Sequence, residues 1–415
     1  MRGILTVLFS LLIFCVSSYS KAAKPIVVLL SIDGFAYNYL EKYQPKNILA
    51  FASSGVSAKL LPVYPSKTFP NHLSIITGAY PVKHGILHNS FYNPEIGEKY
   101  SLGAGKNDKR WLTAEPFWSI AEQAKIKSAV YFWPESESLA VSTSPSYNVP
   151  YNHGTSNKTR VDQIITWLQM PESKSPQFIS SYFSTVDTAG HEYGPNSPGV
   201  ALAIAEIDAL FGYFIERLNN EVKQSVNIIL VSDHGMVAVE KQKAITTKSV
   251  LSKTAENLIN INAITVAKSS TQLLFYFDKS LLSRVQQEKL VNELEIQQQQ
   301  QQLFTLHHKG KFPKRWYLDK NEDIVPDLIL EAKPGATFIK EANSHHFNRG
   351  AHGYDPFERH DLTAIFIASG PNFDKGRAIA PFKNIHITPM LNELFSLPTI
   401  KKIDGSASVL KTILK

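Results

Sequence analysis

Seven residues of this 415-residue chain have side chains that together can activate a hydroxyl: Thr68, Asp33, Asp187, His191, Asp233, His234 and His352. Thr68 stands between Lys67 and Phe69, with Pro65 and Pro70 stiffening the turn by fixing φ. Residues 71–77 read as the opening of a helix, so Thr68 is expected at or near a helix N-terminus. Unpaired N–H groups and a partial positive charge make that end an anion site. A threonine hydroxyl is a poor nucleophile at its ordinary pKa. Metal coordination activates it, as zinc lowers the pKa of water from about 15.7 to about 7. Three Asp and three His form an oxygen and nitrogen donor set that suits zinc and accepts manganese or iron, whereas calcium prefers oxygen alone. Six donors and a bridging hydroxyl suffice for two metals about 4 Å apart, the arrangement that clamps the entering and leaving oxygens of an in-line phosphoryl displacement. The rival reading makes Thr68 a helix cap and the other six unrelated caps and core residues. Their recurrence at strand ends, beside Gly or in turns, argues against it.

These residues need a scaffold that brings strand ends together. Residues 26–34 (IVVLLSIDG), 177–185 (QFISSYFST) and 226–231 are continuous apolar runs of the kind that form strands buried on both faces of a parallel sheet. They lead into Asp33, into Asp187 and His191 in a Gly-containing turn, and into Asp233 and His234. Open α/β sheets place their sites at such C-terminal strand ends. Further strands are expected at 56–61, 128–133, 326–331 and 362–369. Helices are expected at 39–52, 116–124, 161–169, 200–218 and 387–395. Trp133, closing one strand, is a candidate pocket residue. Residues 89–105 and 135–159 read as loops. The reading is an α/β fold with a mostly parallel central sheet and helices on both faces. A smaller strand and helix subdomain is inserted at about 240–345, where a six-glutamine run (297–302) is expected as a polar helix extension or a mobile loop.

The 43% hydrophobic content supports a large core, and 11% aromatics with 23 prolines exclude a disordered chain or a coiled coil. A net charge of +7 without a long basic run favours anionic substrates weakly and shows no nucleic-acid surface. Arg2, the apolar run 4–16 and the small residues before Ala23 have the order of a secretory signal, here bounded at 1–22, leaving a single mature domain over 23–415. The expectation is therefore export, to the periplasm or the extracellular space, with no membrane span in the mature chain. Cys15, the one cysteine, lies in that segment, so neither a disulfide nor a thiolate ligand is expected in the mature protein.

The motifs KTFPNH (67–72), TGAYPVKHGI (77–86), DTAGHEYGP (187–195), SDHGM (232–236) and HGY (352–354), with Asp33-Gly34, resemble in order the nucleotide pyrophosphatase/phosphodiesterase family of the alkaline phosphatase superfamily. The resemblance implies an alkaline-phosphatase-like core and two zinc ions. One would be held by Asp187, His191 and His352, the other by Asp33, Asp233 and His234, with Thr68 as the metal-bound nucleophile. It implies that Asn89 binds the phosphate and that Phe69 and Tyr182 flank a base. The implied reaction is hydrolysis of a small-molecule phosphodiester or pyrophosphate through a phosphothreonine. The chain departs from the family at Trp133-Pro134-Glu135, where Trp-Pro-Gly is frequent. The alternatives are a phosphomonoesterase or phosphonate hydrolase of the same superfamily, or a non-catalytic exported binding protein.

Overall fold

The computed structural model describes residues 24–341, 347–398 and 403–415; the expected signal segment lies outside them. Its organising element is the strand Ile26–Ile32, buried at every residue after the first. Alternate side chains enter opposite cores: Val27 and Leu29 join one apolar cluster, Val28, Leu30 and Ile32 the other. Phe178–Phe183 and Val226–Val231 flank it, both parallel to it. The nine-stranded sheet runs, from edge to edge, Arg377–Ala378, Val56–Leu61, Ala364–Ser369, Val226–Val231, Ile26–Ile32, Phe178–Phe183, Ser128–Tyr131, Tyr147–Val149, with Phe382–Lys383 also on Val56–Leu61. Ala364–Ser369 is antiparallel to both neighbours, and every other pairing is parallel.

Helices cover both faces, as the two-sided burial of the strands demands. Lys46–Ser54, Asn157–Leu168, Thr185–Tyr193 and Pro198–Glu221 pack on one side; Thr68–Thr77, Phe117–Gln123 and Ile387–Leu394 pack on the other. Among the described residues, Pro198–Glu221 alone is long and apolar enough to cross a membrane. It is instead a core helix, with Ile204, Ile207, Phe211 and Phe214 set into the cluster beneath the sheet. Its buried Asp208 accepts from the backbone N–H groups of Asn47 and Ile48 at 3.1 and 2.9 Å, satisfying the start of the neighbouring helix.

The inserted subdomain is a four-stranded antiparallel sheet, Ile264–Lys268, Gln272–Phe277, Leu328–Ala332 and Phe304–His308, with its own apolar cluster. Helix Arg284–Gln301 opens on a capping box of Ser283 and Gln286, and its last turns are the glutamine run, ended by left-handed Gln302. The run is therefore a helix extension.

Four local expectations differ from the structure. The 39–52 helix is two, Tyr39–Tyr43 and Lys46–Ser54, because Gln44 is left-handed and Pro45 follows. Residues 89–105 contain a hairpin, Phe91–Asn93 with Glu98–Tyr100, whose Phe91 and Tyr100 are buried. Tyr147–Val149 in the 135–159 segment adds an edge strand to the main sheet. Asp187 and His191 lie in a helix, Thr185–Tyr193, where the four-residue spacing puts both on one face.

Candidate active site

The parallel pairing of three strands brings their C-terminal ends to one edge, and the polar residues beyond them converge there. Ile32 pairs with Phe183 and Ser31 with Val231, so Asp33, Asp187, Asp233 and His234 follow from neighbouring strand ends. Gly34 makes this possible: its φ is +71°, and a Cβ there would stand 2.8 Å from the Cα of Asp187. Its N–H donates to Asp233 Oδ1 at 3.2 Å.

Two groups of donors result. Asp33, Asp233 and His234 offer ligand atoms within 4.8 Å of one another, and so do Asp187, His234 and His352. His191 joins the second group, with Nε2 at 3.5 Å from Asp187 Oδ1 and 3.2 Å from His352 Nε2. The Nδ1 of His191 faces the Gly350 carbonyl at 2.8 Å and that of His352 faces the Ser66 carbonyl at 2.8 Å. A carbonyl only accepts, so each Nδ1 carries a proton, and the two Nε2 atoms face each other across 3.2 Å. His234 likewise donates from Nδ1 to its neighbour, the Gly235 carbonyl, and aims Nε2 at Asp233 Oδ2, 3.0 Å away, and Asp33 Oδ1, 3.5 Å away.

The carboxylates carry the same message. Asp33 Oδ1, Asp187 Oδ1 and Asp233 Oδ2 are buried oxygens without a hydrogen-bond partner. Two unit charges within 4.8 Å repel by about 3–4 kcal/mol at an effective dielectric near 20. Burial and the neighbouring Asp233 and Asp187 push the Asp33 carboxyl well above its usual range. Burial acts the same way on Asp233, but His234 and His72 beside it outweigh burial and hold it well below. Burial, with His234, Lys67 and His191 nearby, keeps the His352 ring neutral. Converging ring nitrogens and orphaned carboxylate oxygens form a donor set of the kind that binds cations and that zinc accepts.

Thr68 opens the helix Thr68–Thr77, one turn earlier than the apolar pattern suggests, and in that helix every residue but Phe69 is buried. Its Oγ1 lies 3.4 Å from His234 Nε2. Such packing holds the hydroxyl rigidly; truncating a core side chain such as Leu73 to Ala costs about 2–5 kcal/mol. Asn89 Oδ1 accepts from the Phe69 N–H at 3.0 Å, which fastens it to the helix start and leaves its Nδ2 hydrogens to a ligand.

Several contributions were not legible in the motifs. The Tyr182 hydroxyl donates to Asp33 Oδ2, so this tyrosine is tied to the acidic cluster as well as to the cavity. His72, buried one turn after Thr68, bonds the Thr68 carbonyl through Nδ1 at 2.9 Å and Ser31 Oγ through Nε2 at 2.8 Å. The i to i+4 spacing on a helix was the available signal. Lys67 is buried, its ammonium bonded to the His352 carbonyl at 2.6 Å, and burial pulls its pKa down to about 7.

A cavity of about 440 Å³ leads away from Thr68 and is lined by Asp33, Phe69, Asn89, Trp133, Tyr182 and Asp187 among others. Trp133 is fixed by its Nε1 donating to the His72 carbonyl at 3.2 Å. The far wall comprises Leu102, Gly103, Lys106 and residues 132–137. There Glu135 adopts a φ of +59° and accepts a hydrogen bond from the Tyr100 hydroxyl.

A family model described as type I phosphodiesterase / nucleotide pyrophosphatase matches residues 27–355. An uncharacterized pyrophosphatase/phosphodiesterase of Schizosaccharomyces pombe is 32% identical over 382 residues, 90% of this chain and 77% of its own length. Bovine ectonucleotide pyrophosphatase/phosphodiesterase family member 3 is 32% identical over 90% of this chain, which spans only 42% of that larger protein. The solved structure of murine ectonucleotide pyrophosphatase/phosphodiesterase 5, an inactive threonine-to-alanine variant in complex with AMP, superposes with a TM-score of 0.83 at 26% identity, covering 94% of this chain and all of that one. With its fold, its strand-end cluster and a matching model over most of its length, the chain belongs to the type I phosphodiesterase / nucleotide pyrophosphatase family of hydrolases.

Proposed function

We propose that the chain hydrolyses phosphodiester or pyrophosphate bonds of nucleotides or related small diesters, with two zinc ions as cofactors and Thr68 as nucleophile. The observation that carries this reading is the convergence of three orphaned carboxylate oxygens and the Nε2 atoms of His191, His234 and His352 beside Thr68 Oγ1. Asp33, Asp233 and His234 would hold one ion, and Asp187, His191 and His352 the other. Bound there, the metals would supply Lewis-acid activation of the hydroxyl and neutralise phosphoryl charge.

The chain's own residues supply the rest. Thr68 Oγ1 attacks phosphorus in line, the P–O bond to the leaving group breaks, and the hydroxyl proton passes through water in the cavity to the departing oxygen. The product is a phosphothreonine and a free alcohol or phosphate ester. Water then displaces the threonine oxygen and releases a phosphomonoester, such as a nucleoside monophosphate. The helix start at Thr68 and the amide of Asn89 stabilise the phosphoryl oxygens. The cavity lined by Phe69, Trp133 and Tyr182 takes the esterified group. A relative that is inactive as a threonine-to-alanine variant and binds AMP supports both the nucleophile and a nucleotide as substrate. The ectoenzyme name of another relative supports export, which the 1–22 segment suggests.

The test is the ratio of turnover on bis-p-nitrophenyl phosphate to that on p-nitrophenyl phosphate, with zinc counted in the purified protein. Diester preference and two zinc ions per chain are expected. Monoester dominance would make the chain a phosphomonoesterase, and a zinc-free active protein would end the metal reading.

A further inference from the structure

Loops from three parts of the chain meet behind the metal-ligand cluster, and one of them belongs to the inserted subdomain. The loop after His352 has no side chain to anchor it at Gly353, whose φ is +116° and where a Cβ would stand 2.3 Å from Lys67 Cε and 2.5 Å from Thr271 Oγ1. Its backbone is held by other residues instead. The His352 carbonyl accepts from Lys67 Nζ at 2.6 Å and lies 3.2 Å from the Thr271 hydroxyl. The Gly353 N–H donates to Ser66 Oγ at 3.0 Å, and the Gly353 carbonyl accepts from Gln272 Nε2 at 2.5 Å.

Gln272 begins the Gln272–Phe277 strand of the inserted sheet, and both it and Thr271 are completely buried. Its other amide atom turns to the opposite side of the site. Gln272 Oε1 lies 2.7 Å from Thr271 Oγ1 and 3.2 Å from His88 Nε2. His88 Nδ1 accepts from the Ser90 N–H at 3.2 Å, so Nε2 carries the proton and donates to Gln272. Burial agrees, pushing the His88 ring down to about 3 and keeping it neutral. These partners fix the amide without a flip: oxygen to the two donors, nitrogen to the carbonyl.

We infer that Gln272 is a positioning residue contributed by the inserted subdomain. Its single amide bridges the segment that carries Asn89 to the loop that carries His352, setting the distance between the phosphate-binding side and the metal side. The inserted sheet is thereby part of the site's frame. Partners behind metal ligands are worth roughly 10–100-fold in metal affinity, and this one acts through the Gly353 carbonyl, one residue after His352.

The inference rests on the reading of His352 as a zinc ligand, and the experiment separates the two. Zinc affinity of the full chain is measured by chelator competition for the wild type, Gln272→Met and Phe275→Leu, the last a buried residue of the same strand. The expected result for Gln272→Met is about a tenfold or greater loss of affinity, with a lower kcat on bis-p-nitrophenyl phosphate that excess zinc restores. Phe275→Leu is expected to stay within twofold of the wild type. Equal losses in both variants, or wild-type affinity in a folded Gln272→Met protein, overturn the positioning role. Should Gln272→Met fail to fold, Thr271→Val takes its place, where unchanged affinity is again the overturning result. A wild-type chain that binds no zinc overturns the metal reading itself.

Discussion

The two ends of the active-site cavity are built in different ways. At the Thr68 end, Asp33, Asp187, Asp233 and His234 stand one to four residues beyond strands of the central sheet and Thr68 stands at the start of a buried helix, so backbone pairing sets their positions. At the far end, the wall is made of turns whose shape depends on side chains. Phe132 and Glu135 have left-handed φ values of 68° and 59°, and the Glu135 carboxylate accepts from Tyr100 across the gap. The reacting end is therefore rigid by topology, with groups that cannot shift without breaking the sheet. The far end can change by substitution without disturbing the groups at the other.

That contrast predicts loss of turnover from changes at the first end and altered substrate binding from changes at the second. The largest effect is expected for Thr68→Ala: diester turnover should fall on the order of a thousandfold or more with zinc content unchanged, measured on bis-p-nitrophenyl phosphate. An active variant would transfer the nucleophile's role elsewhere. Tyr182→Phe comes next. It removes the donor on Asp33 Oδ2 while keeping the ring, so zinc affinity should drop roughly 10–100-fold and stripping by chelator should become faster, with KM nearly unchanged at saturating zinc.

The smallest effect belongs to Glu135→Gln. One hydrogen bond of about 1 kcal/mol is weakened, so KM for a nucleotide diester should change less than tenfold, with kcat within about twofold. A kcat collapse here would break the division between the two ends. The same variant has a pH signature. Burial raises the Glu135 pKa above its ordinary value of 4.5, so the folded chain retains a proton that the unfolded chain has released. The stability linked to that proton is present below 4.5 and is lost as pH rises through the raised value. Glu135→Gln should therefore gain stability relative to the wild type as pH rises from 4 to 7, read from chemical denaturation at each pH.

The clusters at the strand ends were legible because the apolar runs before them are long and uninterrupted, and because acids and histidines abruptly follow. Asp187 and His191 were legible as a pair, although they lie in a helix: the Gly190 between them suggests a turn, and packing of Thr185–Tyr193 against Pro198–Glu221 overrides that local preference. The hairpin within 89–105 was hidden by its Gly and Asn content, since Phe91 and Tyr100 are buried against Trp111, which lies outside the segment. Gln272 could not be found by any local signal, because its partners are 81 and 184 residues away.

Alone, the sequence determined the kind of chemistry: residue types fix which atoms can ligate, attack or hold a proton, and hydrophobic periodicity fixes that strands buried on both faces carry them. Tertiary structure decided the geometry of that chemistry. Only the parallel register sets Asp33, Asp187 and Asp233 at one edge, and only carbonyl acceptors at Gly350 and Ser66 turn the Nε2 atoms of His191 and His352 inward. It also decided that the inserted sheet reaches into the site through Gln272. The physical reason is that residue type and periodicity are local properties, whereas the direction of a lone pair is set by whatever group, near or far in sequence, occupies the other side of the ring or amide.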